Sequence, residues 1–301
     1  MSFKSKEKKS KKQLEFNIEK PLERDRNHNL GGKSFYFFDF DENIAFLNTS
    51  TVLFHKTSHQ EIKISGKEFS EFQKDIGVKG KFKDYIINAE DVGGSFKNYR
   101  DQEIPRVLKW FGKKQAFVAD LISSLKTSDD SWQGPSWSCF YHAVFNKRPI
   151  ALITARGHAP ETIKEGIKQL VKFGYLPYEP NYLGVYPVND PKTKKLLLGG
   201  NGTESVAALK KLAIKHAFSE AIRLYGNKPH RFGMSDDCRY NIESITEAMQ
   251  DLKLQNPDIS FFVIETSGGK FVKKELPYPT KDRSTTSKQL ELSVDTSFPL
   301  T

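Results

Sequence analysis

Apolar residues in this chain fall into two patterns, short unbroken runs and longer stretches at helical spacing. The densest run is Phe35-Tyr36-Phe37-Phe38. A short continuous run of this kind suits a strand covered on both faces, as in a parallel sheet. Pro149–Ile153 and Ile259–Glu265 read the same way, and Tyr182–Val188, His230–Met234 and a short Lys195–Leu198 are further strand predictions. Ile44–Phe54 and His59–Ile64 are rich in Thr, Val, Ile and Phe and predict a β-hairpin. Helical spacing marks Ile104–Lys126 with Gly112 as a break, a short helix over 136–146, and another over Pro160–Phe173. A long helix opens after Gly199-Gly200-Asn201-Gly202, with Asn201 and Glu204 at capping-box spacing, and runs to Tyr225. One more follows Asp237 to about Leu252. Strands alternating with helices predict an α/β fold with a Rossmann-like parallel sheet core.

The spacing of the runs sets the domain layout. Roughly 100 residues separate the first and second core strands, far more than the dozen or so that a crossover requires. The core is therefore expected at 34–48 and 148–270, with a hairpin-bearing, cap-type insertion at 49–147, of which 49–135 is the cap and the helix over 136–146 returns to the core. Residues 1–33 show no sustained periodicity and are expected to be a disordered basic head. Residues 271–301 are expected to be a loose tail.

Charge changes this picture less than its total suggests. The formal net charge is +10 over 301 residues. Residues 1–33 hold ten Lys/Arg and five Asp/Glu, so half of the excess lies in the head. A basic surface favours phosphate-bearing partners. Cys139 and Cys238 form no CxxC spacing and no disulfide framework, which points to a reduced, cytoplasmic protein. No apolar run approaches the length of a membrane span, so no membrane partner is expected.

The candidate chemistry sits where strand-like runs end. Asp39 and Asp41 are spaced i, i+2 and share one side of an extended chain, at the carboxyl end of the first strand. Two like charges so close need a cation or a shared proton, which makes this a candidate metal site. Thr154 closes the Pro149–Ile153 run, and Asp236-Asp237 follow His230–Met234. In a parallel sheet these three ends lie along one edge, and carboxylates there suit a hard cation such as Mg²⁺. A fixed positive charge would complete the set. On a helical wheel taken from Val206, Leu209, Ala213, Ala217, Ala221 and Leu224 fall within roughly 60° of it and Lys210 at about 40°. Lys210 thus lies in an apolar stripe, where it needs an anionic partner. Arg156, just past Thr154, is placed to reach a substrate.

This ordered set resembles the haloacid dehalogenase-like phosphatase superfamily. Asp39-Phe40-Asp41 matches its first D-x-D motif, Thr154 its second, Lys210 its third, and Asp236-Asp237 its fourth. The common first motif continues with Gly-Thr, where this chain has Glu42-Asn43. The resemblance implies a Mg²⁺-dependent phosphatase that hydrolyses a phosphomonoester through an aspartyl-phosphate. It implies Asp39 as nucleophile, Asp41 as general acid/base, and Thr154 and Lys210 as phosphoryl ligands. The metal would be held by Asp39, the main-chain carbonyl of Asp41, and Asp236, with Asp237 orienting Lys210 or a metal-bound water. The insertion would be the cap that selects substrate, a phosphorylated small molecule, nucleotide or nucleic-acid end.

Two other functions fit the same residues: a catalytically weak nucleic-acid-binding protein on this scaffold, and a phosphotransferase. The remaining motifs read more simply as structure. His55 and His59 bracket a turn rather than one helix face, Gly199–Gly202 lacks the Lys-Ser/Thr of a P-loop, and Cys238 is a small packing residue. Trp110, Trp132 and Trp137 are expected in the core.

Overall fold

The computed structural model describes residues 21–90, 93–127, 130–200, 202 and 204–278. In chain order, β1 (Ser34–Phe38) is followed by β2 (Thr51–His55), β3 (Glu61–Ile64), α1 (Gly66–Phe72) and β4 (Tyr85–Ile86). Next come α2 (Arg106–Trp110), α3 (Ala116–Leu125), α4 (Trp137–Phe145), β5 (Pro149–Thr154) and α5 (Pro160–Lys172). The chain continues through β6 (Asn181–Pro187), α6 (Pro191–Leu198), α7 (Val206–Tyr225) and β7 (Arg231–Asp236). It closes with α8 (Arg239–Gln255), β8 (Ser260–Glu265) and β9 (Val272–Glu275).

Six strands form one sheet in the order β6-β5-β1-β7-β8-β9. The first five run parallel and β9 pairs antiparallel to β8. The four aromatic residues of β1 explain its central place. Successive side chains point to opposite faces. Phe35 and Phe37 accordingly join the layer beneath α7 and α8, while Tyr36 and Phe38 join the layer with α3, α4 and α5. Phe35 stacks on Phe232 of β7 with ring centroids 4.5 Å apart. Each face of the sheet is covered, as a parallel sheet requires.

The insertion is smaller than the expected cap at 49–135, because α3 leaves it for the core, while α4 returns to the core as expected of the helix over 136–146. β3-β2-β4 form a separate three-stranded antiparallel sheet, with Leu53, Ile64 and Phe82 as its own apolar cluster. Helix α3, by contrast, buries Phe117, Val118 and Leu121 against Phe40, Ile163 and Ile167, and α4 packs on the core through Phe140, Ala143 and Val144. Both helices belong to the core because their apolar faces need the sheet and α5 to be buried.

Other boundaries also move. Residues 21–33 are held in place rather than disordered. Asp25 pairs with Arg148 at 2.6 Å and accepts the Ser34 N–H at 2.7 Å, while the Lys33 N–H donates to His230 Nδ1 at 3.0 Å. Residues 1–20 of the expected head lie outside the described residues. The expected tail at 271–301 begins instead with strand β9, whose pairing satisfies the edge of β8; residues 279–301 lie outside the described residues. Lys195–Leu198 is helical, not a strand. Asp190 caps that helix by accepting the Thr193 N–H, Pro191 opens it, and Gly199 closes it at φ 68°. Helix α7 is capped by Ser205, which accepts the Ala208 N–H, and Asn201 lies outside the described residues. The Ile104–Lys126 stretch breaks near Gly112 into α2 and α3. Trp132 and Trp137 are buried as expected, but Trp110 is 84% exposed. No helix among the described residues is long and apolar enough to cross a membrane.

Candidate active site

Strands β5, β1 and β7 are adjacent and parallel, so their carboxyl ends lie side by side. Thr154 ends β5, Asp39 follows β1, and Asp236 ends β7. The Asp39 N–H donates to Ser235 O at 2.9 Å, which locks the two acid-bearing ends together. Register therefore sets the distance between acids that are far apart in sequence.

Lys210 reaches this edge from α7. Its Nζ donates to Asp39 Oδ2 at 2.9 Å and to Asp236 Oδ2 at 2.7 Å. Lys210 and Asp236 are both fully enclosed and Asp39 nearly so. Asp39 Oδ1 accepts the Phe40 N–H, and Asp236 Oδ1 accepts from the Cys238 N–H and Asn241 Nδ2. These bonds fix both carboxylates as rigid acceptors. Asp237 completes a cluster in which Asp39, Asp236 and Asp237 each offer an oxygen within 4.8 Å of the others. Burial pushes the Asp39 carboxyl up to about 8, helped by Asp236 and opposed by Lys210. Burial and Asp236 push Asp237 up to about 7. One lysine does not offset two buried acids and a half-buried third.

Asp41 lies apart from that cluster. Its two oxygens are taken by Arg156, Nε to Oδ2 at 2.8 Å and Nη2 to Oδ1 at 2.6 Å. Arg156 Nη2 also donates to Thr49 Oγ1 at 2.8 Å, and the Thr49 hydroxyl donates to Asp120 Oδ2 at 2.6 Å. The guanidinium lies over the rings of Tyr99 and Phe117, with centroids 5.1 and 4.7 Å away. Arg156 is therefore buried and engaged with Asp41 rather than open toward a ligand. Thr154 is buried too, and its Oγ1 accepts the Arg156 N–H at 3.4 Å.

Several supporting residues were invisible in the sequence. Asn43 stands where the common motif has Thr, and it ties four segments together. Its Nδ2 donates to Asp39 O at 2.9 Å and Ser235 Oγ at 2.8 Å. Its Oδ1 accepts from Ser136 at 2.8 Å and Thr266 at 2.9 Å. Glu42, where the motif has Gly, takes a left-handed φ of 56°, a conformation that glycine adopts at no steric cost. Thr49 and Asp120 gave no signal at all, because only the fold brings them to Arg156. His158 is fully buried beside Arg156, with no hydrogen-bond partner on either ring nitrogen among the described residues. Burial and Arg156 push it down to about 3, so its ring is neutral.

The three-stranded sheet unit reaches the same edge. Lys74 lies 5.9 Å over the ring of Tyr240 in the first turn of α8, and the Tyr99 hydroxyl donates to Thr49 O at 3.0 Å. Compared with known proteins, the chain matches no family model, no curated protein and no solved structure.

Proposed function

We propose that this chain is a Mg²⁺-dependent phosphohydrolase that cleaves a phosphomonoester through an aspartyl-phosphate on Asp39. The observation that carries the reading is Lys210 held between Asp39 and Asp236, with Asp237 beside them, at the edge where the ends of β1 and β7 meet. The order of motifs in the sequence supports it. The donor set fits the metal, since three clustered carboxylates offer only hard oxygens and, once ionised, carry more negative charge than Lys210 offsets. Asp39, Asp236 and Asp237 would hold Mg²⁺, which when bound would neutralise charge on the transferring phosphoryl group.

In the first step an Asp39 oxygen attacks phosphorus, the bond to the leaving oxygen breaks, and Asp41 gives that oxygen a proton. In the second, water attacks phosphorus, the bond to Asp39 breaks, and Asp41 takes the proton from water. Division into two steps lowers each barrier. Lys210 and Thr154 would face the phosphoryl oxygens, with Lys210 offsetting charge there. Arg156 acts through Asp41, as a positioning residue.

One observation favours a catalytically weak binding protein as a second reading. Both oxygens of Asp41 are engaged by Arg156, and proton transfer needs one of them free. Hydrolysis of p-nitrophenyl phosphate separates the two readings. Turnover that needs Mg²⁺, stops with EDTA and vanishes in Asp39→Asn is expected of the hydrolase. Absence of turnover, together with no rise in melting temperature from Mg²⁺-beryllofluoride, a mimic of aspartyl-phosphate, would leave only the binding protein. Transfer to an added alcohol in preference to water would instead indicate a phosphotransferase.

A further inference from the structure

Between Gln102 and Gln115 the chain makes an excursion that is pinned at its neck. The Gln102 N–H donates to Gln115 Oε1 and Gln115 Nε2 donates to Gln102 O, each at 2.9 Å. Both sides of the neck are tied to α5. Asp101 accepts from the Ala159 N–H at 3.1 Å and the Thr162 hydroxyl at 2.9 Å, and Lys114 pairs with Glu165 at 2.8 Å. The base is rigid and the tip projects. Gly112 turns the chain there at φ 84°, with no atom within 4 Å of where a side chain would begin.

The tip is apolar. Val107 is 64% exposed, Leu108 39%, Trp110 84% and Phe111 73%. Four such side chains in five positions form a contiguous patch, which in a folded protein marks an interaction site. Its surroundings are basic. Residues 104–115 contain Arg106, Lys109, Lys113 and Lys114 and no Asp or Glu. Arg106 and Lys113 are exposed and make no ion pair among the described residues.

We propose that this pinned excursion docks the protein peripherally on a bilayer that carries anionic phospholipid. Trp110 and Phe111, with Val107 and Leu108, enter the interfacial layer, while Arg106 and Lys113 meet the headgroups. Aromatic and aliphatic side chains flanked by Lys and Arg are the composition that partitions into that layer. Two features favour a bilayer over a nucleic acid strand, the other polyanion. The rings of Trp110 and Phe111 stand at 60° to each other, so they offer no parallel platform for successive bases. Val107 and Leu108 add nothing to base stacking but do add to apolar insertion. A second copy of the chain is also a poorer fit, because a stable interface buries about 800 Å² per partner and this tip offers four side chains. The Lys-rich stretch from Lys4 to Lys12 supplies further charge of the right sign, and lasting attachment takes two such signals.

The test uses the full chain with vesicles of phosphatidylcholine alone or mixed with phosphatidylglycerol, read by sedimentation and tryptophan emission. Trp132 and Trp137 are buried, so a change in emission reports Trp110. Expected are co-sedimentation and a blue shift with the anionic vesicles only, both weakening as salt rises. Trp110→Ala/Phe111→Ala should weaken binding by ~10-fold or more, as should Arg106→Gln/Lys113→Gln. All four side chains are exposed, so the variants should fold. Failure of the wild type to bind overturns the proposal, as does undiminished binding by Trp110→Ala/Phe111→Ala. So would equal binding to neutral vesicles. A blue shift with a single-stranded oligonucleotide but not vesicles would assign the patch to nucleic acid, and self-association lost in Trp110→Ala/Phe111→Ala would assign it to a dimer.

Discussion

Arg156 grips Asp41 through two parallel hydrogen bonds of 2.8 and 2.6 Å, although 115 residues separate them in the chain. The grip joins the end of β5 to the turn after β1. Because Thr49, Tyr99 and Phe117 also touch the guanidinium, it draws in the segments that follow β1 and precede α4 as well. Arg156→Met should cost about 2–3 kcal/mol in urea unfolding. That is less than for a fully buried pair, since Asp41 is 30% exposed and water screens it. If the variant is active, KM should change less than kcat, because the lost contact positions Asp41 and does not hold substrate.

Lys210 has a different role, as the one cation among the described residues within hydrogen-bonding distance of both Asp39 and Asp236. In Lys210→Met these acids lose their partner while remaining buried. A loss of roughly 3–5 kcal/mol at neutral pH is expected, measured by chemical denaturation. Saturating Mg²⁺ should recover part of it, since a divalent cation replaces the missing charge.

Stability should fall as pH rises past ~6.5. Asp39 and Asp237 lie near 8 and 7 in the folded chain, above their ordinary value of 3.8. Between pH ~4 and ~8 the unfolded chain has released protons that the folded chain still holds, and the state that binds more protons weakens as they become scarce. Below pH ~6.5 the buried, neutral His158 and His230, which burial also pushes down, act the other way. The urea midpoint without metal should therefore decline from pH ~6.5 to ~8, with a shallower slope in Asp39→Asn and in Asp237→Asn. Mg²⁺ added at pH 6.5 should release protons, seen by calorimetry in two buffers of different ionisation enthalpy, and the release should shrink in either variant.

The packing of α3 on α5 can be tested at Gly166. A Cβ there would lie 2.3 Å from the Phe117 ring, which is fully buried. Alanine favours a helix by about 1 kcal/mol over glycine, yet Gly166→Ala should destabilise by about 1–3 kcal/mol. A stabilised variant in thermal unfolding would show that α3 can move off α5 at little cost.

The apolar pattern along the chain was enough to place the central strands and the acids that end them. Four aromatics in β1 demanded a strand buried on both faces, and the polar residues that end β1, β5 and β7 followed from where those apolar runs stop. Lys210 was legible because helical periodicity alone puts it among Leu209, Ala213 and Ala217. Local cues were present at α6 as well, in Asp190, Pro191 and Gly199, although the apolar Leu196–Leu198 read more readily as strand.

Which distant residues pair is a matter of the folded chain. That Arg156 turns to Asp41, that Thr49 and Asp120 support it, and that Asn43 binds four segments together depend on contacts across 71 to 223 residues of chain. No periodicity encodes such contacts. Trp110 marks the same limit from the other side. Its helical spacing predicts burial, but a spacing says only which residues share a face, not whether anything packs against it. In this fold nothing among the described residues covers that face, and Trp110 is left in solvent.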